Sequence, residues 1–96
     1  MLSETAEVRI NMRLIYYQDP GHGWVKVSKE LLFRLRIDSM ISKYSYMNDT
    51  HAFLEEDCDL PILMKALKEL GITPEFDVVY QEESPIREYT SYRTST

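Results

Sequence analysis

The stretch Asp59-Leu60-Pro61-Ile62-Leu63-Met64-Lys65-Ala66-Leu67-Lys68-Glu69-Leu70-Gly71 decides the fold, because it carries the signals of an amphipathic helix at both ends. Pro61 suits the first turn, where its missing N–H costs nothing. Gly71 suits the residue that follows the last turn. We expect Asp57 or Asp59 to cap the N-terminus. The spacing predicts one buried stripe, formed by Ile62, Leu63, Ala66, Leu67 and Leu70.

Alternating apolar and polar residues predict strands around this helix. Five such segments occur, at residues 8–17, 24–27, 43–47, 51–55 and 76–81. Turn-forming residues at 19–23 and at 48–50 join the first four segments into two hairpins. Ser28 is a candidate N-cap for a first helix, which would bury a stripe of three leucines, Leu31, Leu32 and Leu35.

The resulting order, ββαββαβ, predicts an α+β fold. A largely antiparallel sheet of about five strands, with both helices on one face, would bury the two apolar stripes. Residues 1–83 are expected to form this single domain, since the chain is too short for two. Residues 84–96, rich in Ser, Thr and Tyr, are expected to form a C-terminal arm that lies on the surface or on a partner.

Charge and cysteine content narrow the classes of function. The net charge is −5; residues 1–50 carry seven basic and six acidic side chains, whereas residues 51–96 carry four and ten. Direct nucleic-acid binding is therefore disfavoured, because phosphate contacts need the opposite sign. Cys58 is the only cysteine, which favours a reducing compartment. No apolar run reaches the roughly twenty residues of a membrane span. These features predict a cytoplasmic protein that does not bind membranes.

The reactive side chains do not form a recognisable catalytic or metal-binding motif. Cys58 lies between two aspartates, which would raise its pKa, and no zinc-ligand spacing links it to His22 or His51. No glycine-rich phosphate loop occurs. We therefore predict no enzyme activity, no cofactor and no metal. An enzyme would need a shaped pocket around His22, His51 or Cys58.

Carboxylates are crowded at the end of the fourth predicted strand, and this run has two interpretations. Acids near a helix N-terminus offset its dipole and cap its free N–H groups. Alternatively, a dense anionic patch can bind a basic partner surface. Most tyrosines on the neighbouring strands are expected to pack within the sheet, but an uncovered face that presents tyrosines beside acids would suit an interface, where aromatic residues are enriched. The candidate partner-binding residues are Glu55, Glu56, Asp57, Asp59, Tyr44 and Tyr46. Since Asp57 or Asp59 is assigned to the helix start, Glu55 and Glu56 are the acids left for a partner.

Four stretches carry a resemblance to known sequences: His22-Gly23-Trp24-Val25-Lys26-Val27, Tyr44-Ser45-Tyr46, Leu54-Glu55-Glu56-Asp57-Cys58-Asp59 and Ser84-Pro85-Ile86-Arg87. Over roughly residues 14–90 the chain resembles a group of small proteins encoded by bacteriophages, prophages and plasmids. The resemblance implies an accessory gene of a mobile element acting in a bacterial host cell. Inhibitors of host defence, including anti-CRISPR proteins, belong to that setting, so their activity is an expectation by analogy.

The leading hypothesis is a non-enzymatic protein that binds and inhibits a host protein or nucleoprotein complex. Its acidic surface would compete with nucleic acid for a basic groove. The alternative is a small regulatory nucleic-acid-binding protein. It would use basic side chains from the first part of the chain: Arg9, Arg13, Lys26, Arg34 and Arg36. The sequence leaves open whether the protein forms a homodimer.

Overall fold

The computed structural model describes residues 11–94. The strands in that range are β1 Asn11–Gln18, β2 Gly23–Ser28, β3 Tyr46–Met47, β4 His51–Glu55, β5 Thr73–Tyr80 and β6 Thr90–Ser91. The helices are α1 Lys29–Arg34 and α2 Leu60–Glu69, and two short 3-10 helices span Asp38–Met40 and Pro85–Glu88. Val8 and Ile10, which the sequence assigns to the first strand, lie outside the described residues.

The strands form one mixed sheet in the order β5-β1-β2-β4-β3-β6. The α+β class is confirmed, but the sheet has six strands instead of about five. The chain returns from α2 so that β5 pairs with β1 in parallel, whereas every other neighbouring pair is antiparallel. The sixth strand has only two residues, Thr90 and Ser91, which is too short for a periodic pattern to indicate.

The two faces of the sheet bury different sets of side chains because successive residues of a strand point to opposite sides. Leu32 of α1 and Leu63 and Leu67 of α2 pack in one cluster with sheet residues that include Val25 and Leu54. Both helices therefore cover the same face. The opposite face carries a smaller cluster centred on Trp24, Phe53 and Ile86.

The C-terminal end of α2 is stabilised by backbone hydrogen bonds around Gly71. At the C-terminus Gly71 has φ of +75°, and the N–H groups of Gly71 and Ile72 donate to the carbonyls of Lys68 and Leu67. This is a Schellman motif, as the glycine predicts. The stripe prediction is wrong for Leu70, which is mostly exposed because the helix ends one residue earlier.

Asp59 occupies the N-cap position of α2, but its side chain does not cap the helix. Its carboxylate accepts from the Ser42 N–H at 3.0 Å, the Ser42 hydroxyl at 2.7 Å and the Ser45 hydroxyl at 2.5 Å. Only 1% of Asp59 is exposed. The predicted capping bond is therefore wrong: Asp59 fastens the segment before β3 to the start of α2.

Some apolar side chains stay exposed because of where they lie in the fold. Val78 and Tyr80 are exposed on β5, which is an edge strand of the sheet. Met40 is exposed in the first 3-10 helix, whereas Ile41 beside it is buried. The Ser28 cap is confirmed, because its hydroxyl accepts from the Leu31 N–H at 3.0 Å.

The C-terminal segment packs against both faces of the sheet. Ile86 is buried beside Trp24 and Phe53 on the face that the helices leave free. Tyr92 is buried in the helix-covered cluster; its backbone N–H donates to the Ser45 carbonyl at 2.8 Å, and its hydroxyl donates to the Asp38 carbonyl at 2.7 Å. Arg87 of this segment lines the site described next.

Replacing Asp59 with Ala should lower the free energy of unfolding by about 2–4 kcal/mol, because one buried N–H and two hydroxyls lose a charged acceptor. Asp57→Ala is the matched control, since Asp57 is exposed in the same acidic run. It should change stability by no more than about 0.5 kcal/mol. Urea denaturation measures both values, and equal losses in the two variants would contradict the structural role of Asp59.

Candidate functional site

A cleft of about 290 Å³ opens on the sheet face opposite the helices. The lining residues are His22, Trp24, Tyr44, Tyr46, Glu55, Asp57, Cys58 and Arg87. Four of these, Tyr44, Tyr46, Glu55 and Asp57, are among the six predicted partner-binding residues. A larger groove of about 590 Å³ lies elsewhere, but no histidine, cysteine or buried carboxylate lines it. The smaller cleft is therefore the candidate site, because it groups the chemically distinctive side chains.

Aromatic rings form one wall of the cleft. Trp24 on β2 is almost fully buried, and its ring lies 6.1 Å from the Tyr46 ring, near an edge-to-face arrangement. The His22 imidazole lies 6.0 Å from the Trp24 ring. The Arg87 guanidinium sits 5.0 Å from the centre of the indole, which is a cation–π contact. The cleft thus already holds one cation against its aromatic wall.

Arg87 is neutralised by Asp19 in the loop between β1 and β2. The guanidinium donates to the Asp19 carboxylate through Nε at 2.7 Å and through Nη2 at 3.1 Å. The same carboxylate accepts the backbone N–H groups of Gly21 and His22, both at 2.9 Å. The Arg87 hydrogen bond and these N–H donors hold the pKa of Asp19 well below its ordinary value. Asp19 therefore fixes both the C-terminal segment and the loop that presents His22.

Glu55 supplies a buried carboxylate at the end of β4, and only 6% of it is exposed. Its Oε1 accepts the N–H groups of Asp57 and Cys58, each at 2.8 Å, while Oε2 lies 3.4 Å from Nδ1 of His22. Burial alone would raise the pKa of Glu55, but the backbone donors outweigh it and the pKa is lowered. Glu55 therefore stays anionic at neutral pH.

Glu56 is held beside this pair by a contact from the helix-covered side of the sheet. The Tyr16 hydroxyl donates to Oε1 of Glu56 at 2.5 Å, and burial together with this bond raises the pKa of Tyr16 to about 12. A Cβ on Gly23 would lie 2.5 Å from the Tyr16 ring and 2.9 Å from the Glu56 carboxylate. The absence of a side chain at residue 23 is what lets Tyr16 and Glu56 meet.

Cys58 and His22 line the same cleft, whereas His51 lies at the opposite end of β4. Desolvation and the neighbouring Glu55 carboxylate raise the pKa of the Cys58 thiol. At neutral pH the thiol is protonated, so it is a poor nucleophile. Two of the three reactive residues, His22 and Cys58, therefore share the cleft, and His51 does not line it.

The six predicted partner-binding residues divide by exposure. Asp57 and Tyr44 are exposed, with 61% of Tyr44 accessible to solvent. Tyr46 and Glu56 are half-buried. Glu55 and Asp59 are buried and make internal hydrogen bonds, so they cannot lie flat against a partner surface as a continuous acidic patch.

Sequence reasoning did not assign His22, Trp24 and Arg87 to this site. One signal was present for Trp24: it lies two residues before Lys26 in β2 and therefore on the face away from the buried Val25 and Val27. Nothing local indicates that Arg87, which follows a 3-10 turn, reaches a loop 68 residues earlier.

Asp19→Asn should lower the free energy of unfolding at neutral pH by about 1–2 kcal/mol, because Arg87 loses its anionic partner. The folded-state pKa of Asp19 is depressed, so its contribution is present above about pH 4 and is lost as the pH falls further. The stability difference between wild type and variant should therefore narrow from about pH 4 to about pH 2. Urea titrations across this pH range measure the difference, and Asp49→Asn, a change at an exposed acid, is the control. A difference between wild type and Asp19→Asn that stays constant with pH would contradict the role of the ionised Asp19 carboxylate.

Comparisons with known proteins do not identify the cleft. No protein-family model matches the chain, and neither a curated protein nor a solved structure matches it significantly. Within residues 11–94, no helix is both long and apolar enough to cross a membrane. The basis for assigning a function is thus the chemistry of the cleft itself: aromatic rings, a buried carboxylate, an exposed carboxylate and an imidazole.

Proposed function

We propose that the protein is a non-enzymatic binding module whose cleft accepts a lysine or arginine side chain of a partner protein. The observation that carries the proposal is the meeting of three aromatic rings with two carboxylates, Glu55 and Asp57, in one opening. Aromatic faces and carboxylates both attract cations, and their joint placement is suited to a basic side chain.

The charge balance of the cleft favours a cation over an anion. Arg87 is the basic residue in the lining, and its charge is matched by Asp19 behind it. Glu55 and Asp57 form no ion pair with any lysine or arginine among residues 11–94. The lining therefore has an excess of negative charge, and Tyr44 offers an exposed ring beside it.

The biological form of this activity would be inhibition of a host complex in the bacterial cytoplasm by a mobile-element protein of the anti-CRISPR type. Grooves that bind nucleic acid are lined by lysine and arginine, so a basic side chain from such a groove is a natural occupant of the cleft. The net charge of −5 would assist approach to that surface. Docking would then block nucleic acid by occupying its site.

Two of the five basic residues that the alternative, direct nucleic-acid binding, would use are engaged in ion pairs. Arg13 donates to Glu75 at 2.6 Å and to Asp77 at 2.5 Å, and Arg34 pairs with Glu30 at 2.8 Å. Arg9 lies outside the described residues. The two pairs reduce the positive charge that Arg13 and Arg34 offer to phosphates. A gel-shift assay at low salt discriminates the two hypotheses, since a retarded band would favour the alternative.

An arginine-rich peptide should bind the cleft, and Tyr44→Ala should weaken binding by roughly fivefold to thirtyfold through loss of a cation–π contact. Asp57→Asn should weaken it by roughly twofold to fivefold, with a shallower dependence on salt. Calorimetric titration at two or more salt concentrations measures both effects.

Matched controls lie on other surfaces of the same chain. Tyr80→Ala removes a similarly exposed tyrosine from β5, and Asp49→Asn removes an exposed acid from the turn between β3 and β4. Both variants should bind the peptide as wild type does. If the control variants lose as much affinity as the cleft variants, the peptide binds by net charge and the cleft is not the site.

A further inference from the structure

We infer that His22, Glu55 and Glu56 form a binding site for a divalent transition-metal ion, with Zn²⁺ as the best-suited ion. One imidazole nitrogen and one oxygen of each carboxylate all lie within 4.8 Å of one another. The three residues come from the loop before β2 and from the end of β4, so the fold brings the site together. The inference does not rest on the proposed binding of a partner, because the metal alone is its ligand.

The observed spacing is close to that of a zinc site. Zinc–nitrogen and zinc–oxygen bonds of about 2.0–2.1 Å place the ligands of a tetrahedral ion about 3.3 Å apart. Nδ1 of His22 and Oε2 of Glu55 are 3.4 Å apart. The Glu56 carboxylate is the third member, and it has an oxygen within 4.8 Å of a ligand atom of each of the other two residues.

The two carboxylates are already oriented by groups outside the site, as metal ligands usually are. Oε1 of Glu55 is held by two backbone N–H groups, which leaves Oε2 facing the imidazole. Glu56 is held through one oxygen by the Tyr16 hydroxyl. The backbone of His22 is fixed in turn by its hydrogen bond to Asp19. The three side chains are therefore grouped before an ion binds, and binding has only to bring ligand atoms that lie within 4.8 Å of one another to a spacing of about 3.3 Å.

Electrostatics supply an independent reason for a cation at this position. Glu55 is a buried carboxylate, yet no lysine or arginine among the described residues lies within 4 Å of it. A second carboxylate, that of Glu56, lies close by, and two like charges at this distance repel each other. A divalent ion would match the formal charge of the pair.

The donor set selects among metals. Mg²⁺ and Ca²⁺ prefer oxygen ligands alone, whereas an imidazole with carboxylates suits Zn²⁺. Three protein ligands would leave a fourth position open to the cleft, where half of the His22 side chain is exposed. Because the ion would neutralise Glu55 and Glu56, it would also compete with a basic partner side chain for the same opening.

The test is titration of tag-free protein with Zn²⁺ against a chromophoric chelator, with imidazole resonances followed by NMR. We expect one ion per chain and selective shifts of the His22 ring signals. His22→Ala and Glu56→Gln should each weaken affinity by roughly tenfold or more. Glu56→Gln keeps an oxygen acceptor for Tyr16, so it tests ligation without removing the local hydrogen bond.

Controls come from residues of the same types that lie outside the cleft. His51→Ala removes the other histidine of the chain, and Asp49→Asn removes an exposed acid from the turn between β3 and β4. Both should retain wild-type affinity for Zn²⁺. Equal shifts of the two histidines, or equal weakening by the controls and the ligand variants, would overturn the inference. Failure of the metal test leaves the peptide-binding test intact, so the two proposals can fail separately.

Discussion

The arrangement of the cleft depends on the carboxylate of Glu55, which lies at the end of β4 and lines the cleft. One oxygen stabilises the turn after β4 by accepting the N–H groups of Asp57 and Cys58. The other oxygen lies 3.4 Å from Nδ1 of His22. A buried carboxylate is costly unless its charge is solvated by hydrogen-bond donors. Here the two backbone N–H groups provide that solvation. They explain how the Glu55 carboxylate can stay ionised near the cluster of Trp24, Phe53 and Ile86.

Three of the four acids in the run have distinct structural roles. Asp59 fastens a preceding segment, Glu55 stabilises the turn after β4, and Glu56 accepts a tyrosine hydroxyl from the other face of the sheet. The fourth, Asp57, is exposed. The side chain of Asp59 bonds to Ser42 and Ser45 instead of capping α2. Partner binding stays a prediction, for which the acids offer a small opening instead of a continuous patch.

Local sequence signals predict the helices well where residues typical of helix ends mark their boundaries. Pro61 and Gly71 mark α2, and Ser28 marks α1, because each residue acts within one turn of its own backbone. The parallel pairing of β5 could not be predicted in this way, since alternation along a strand carries no information about the direction of its neighbour. For the same reason the alternation could not indicate that Val78 lies exposed on an edge strand.

The site was predictable only in part. Glu55 lies two residues after Phe53, so the strand period places both on one face and indicates a buried acid. By contrast, His22 and Glu55 are 33 positions apart, and only the pairing of β2 with β4 brings them together. Arg87 reaches the cleft from a segment with no periodic pattern. Long-range contacts of this kind depend on the whole fold.

The most direct test of the central claim uses Trp24, the single tryptophan of the chain, which lines the cleft. Its fluorescence reports occupancy of the opening itself, whereas an affinity alone does not report where a ligand binds. An arginine-rich peptide should change the Trp24 emission in a saturable way, at the same concentrations at which calorimetry detects binding. Binding that leaves the emission of Trp24 unchanged would contradict the account, because the peptide would then occupy another surface.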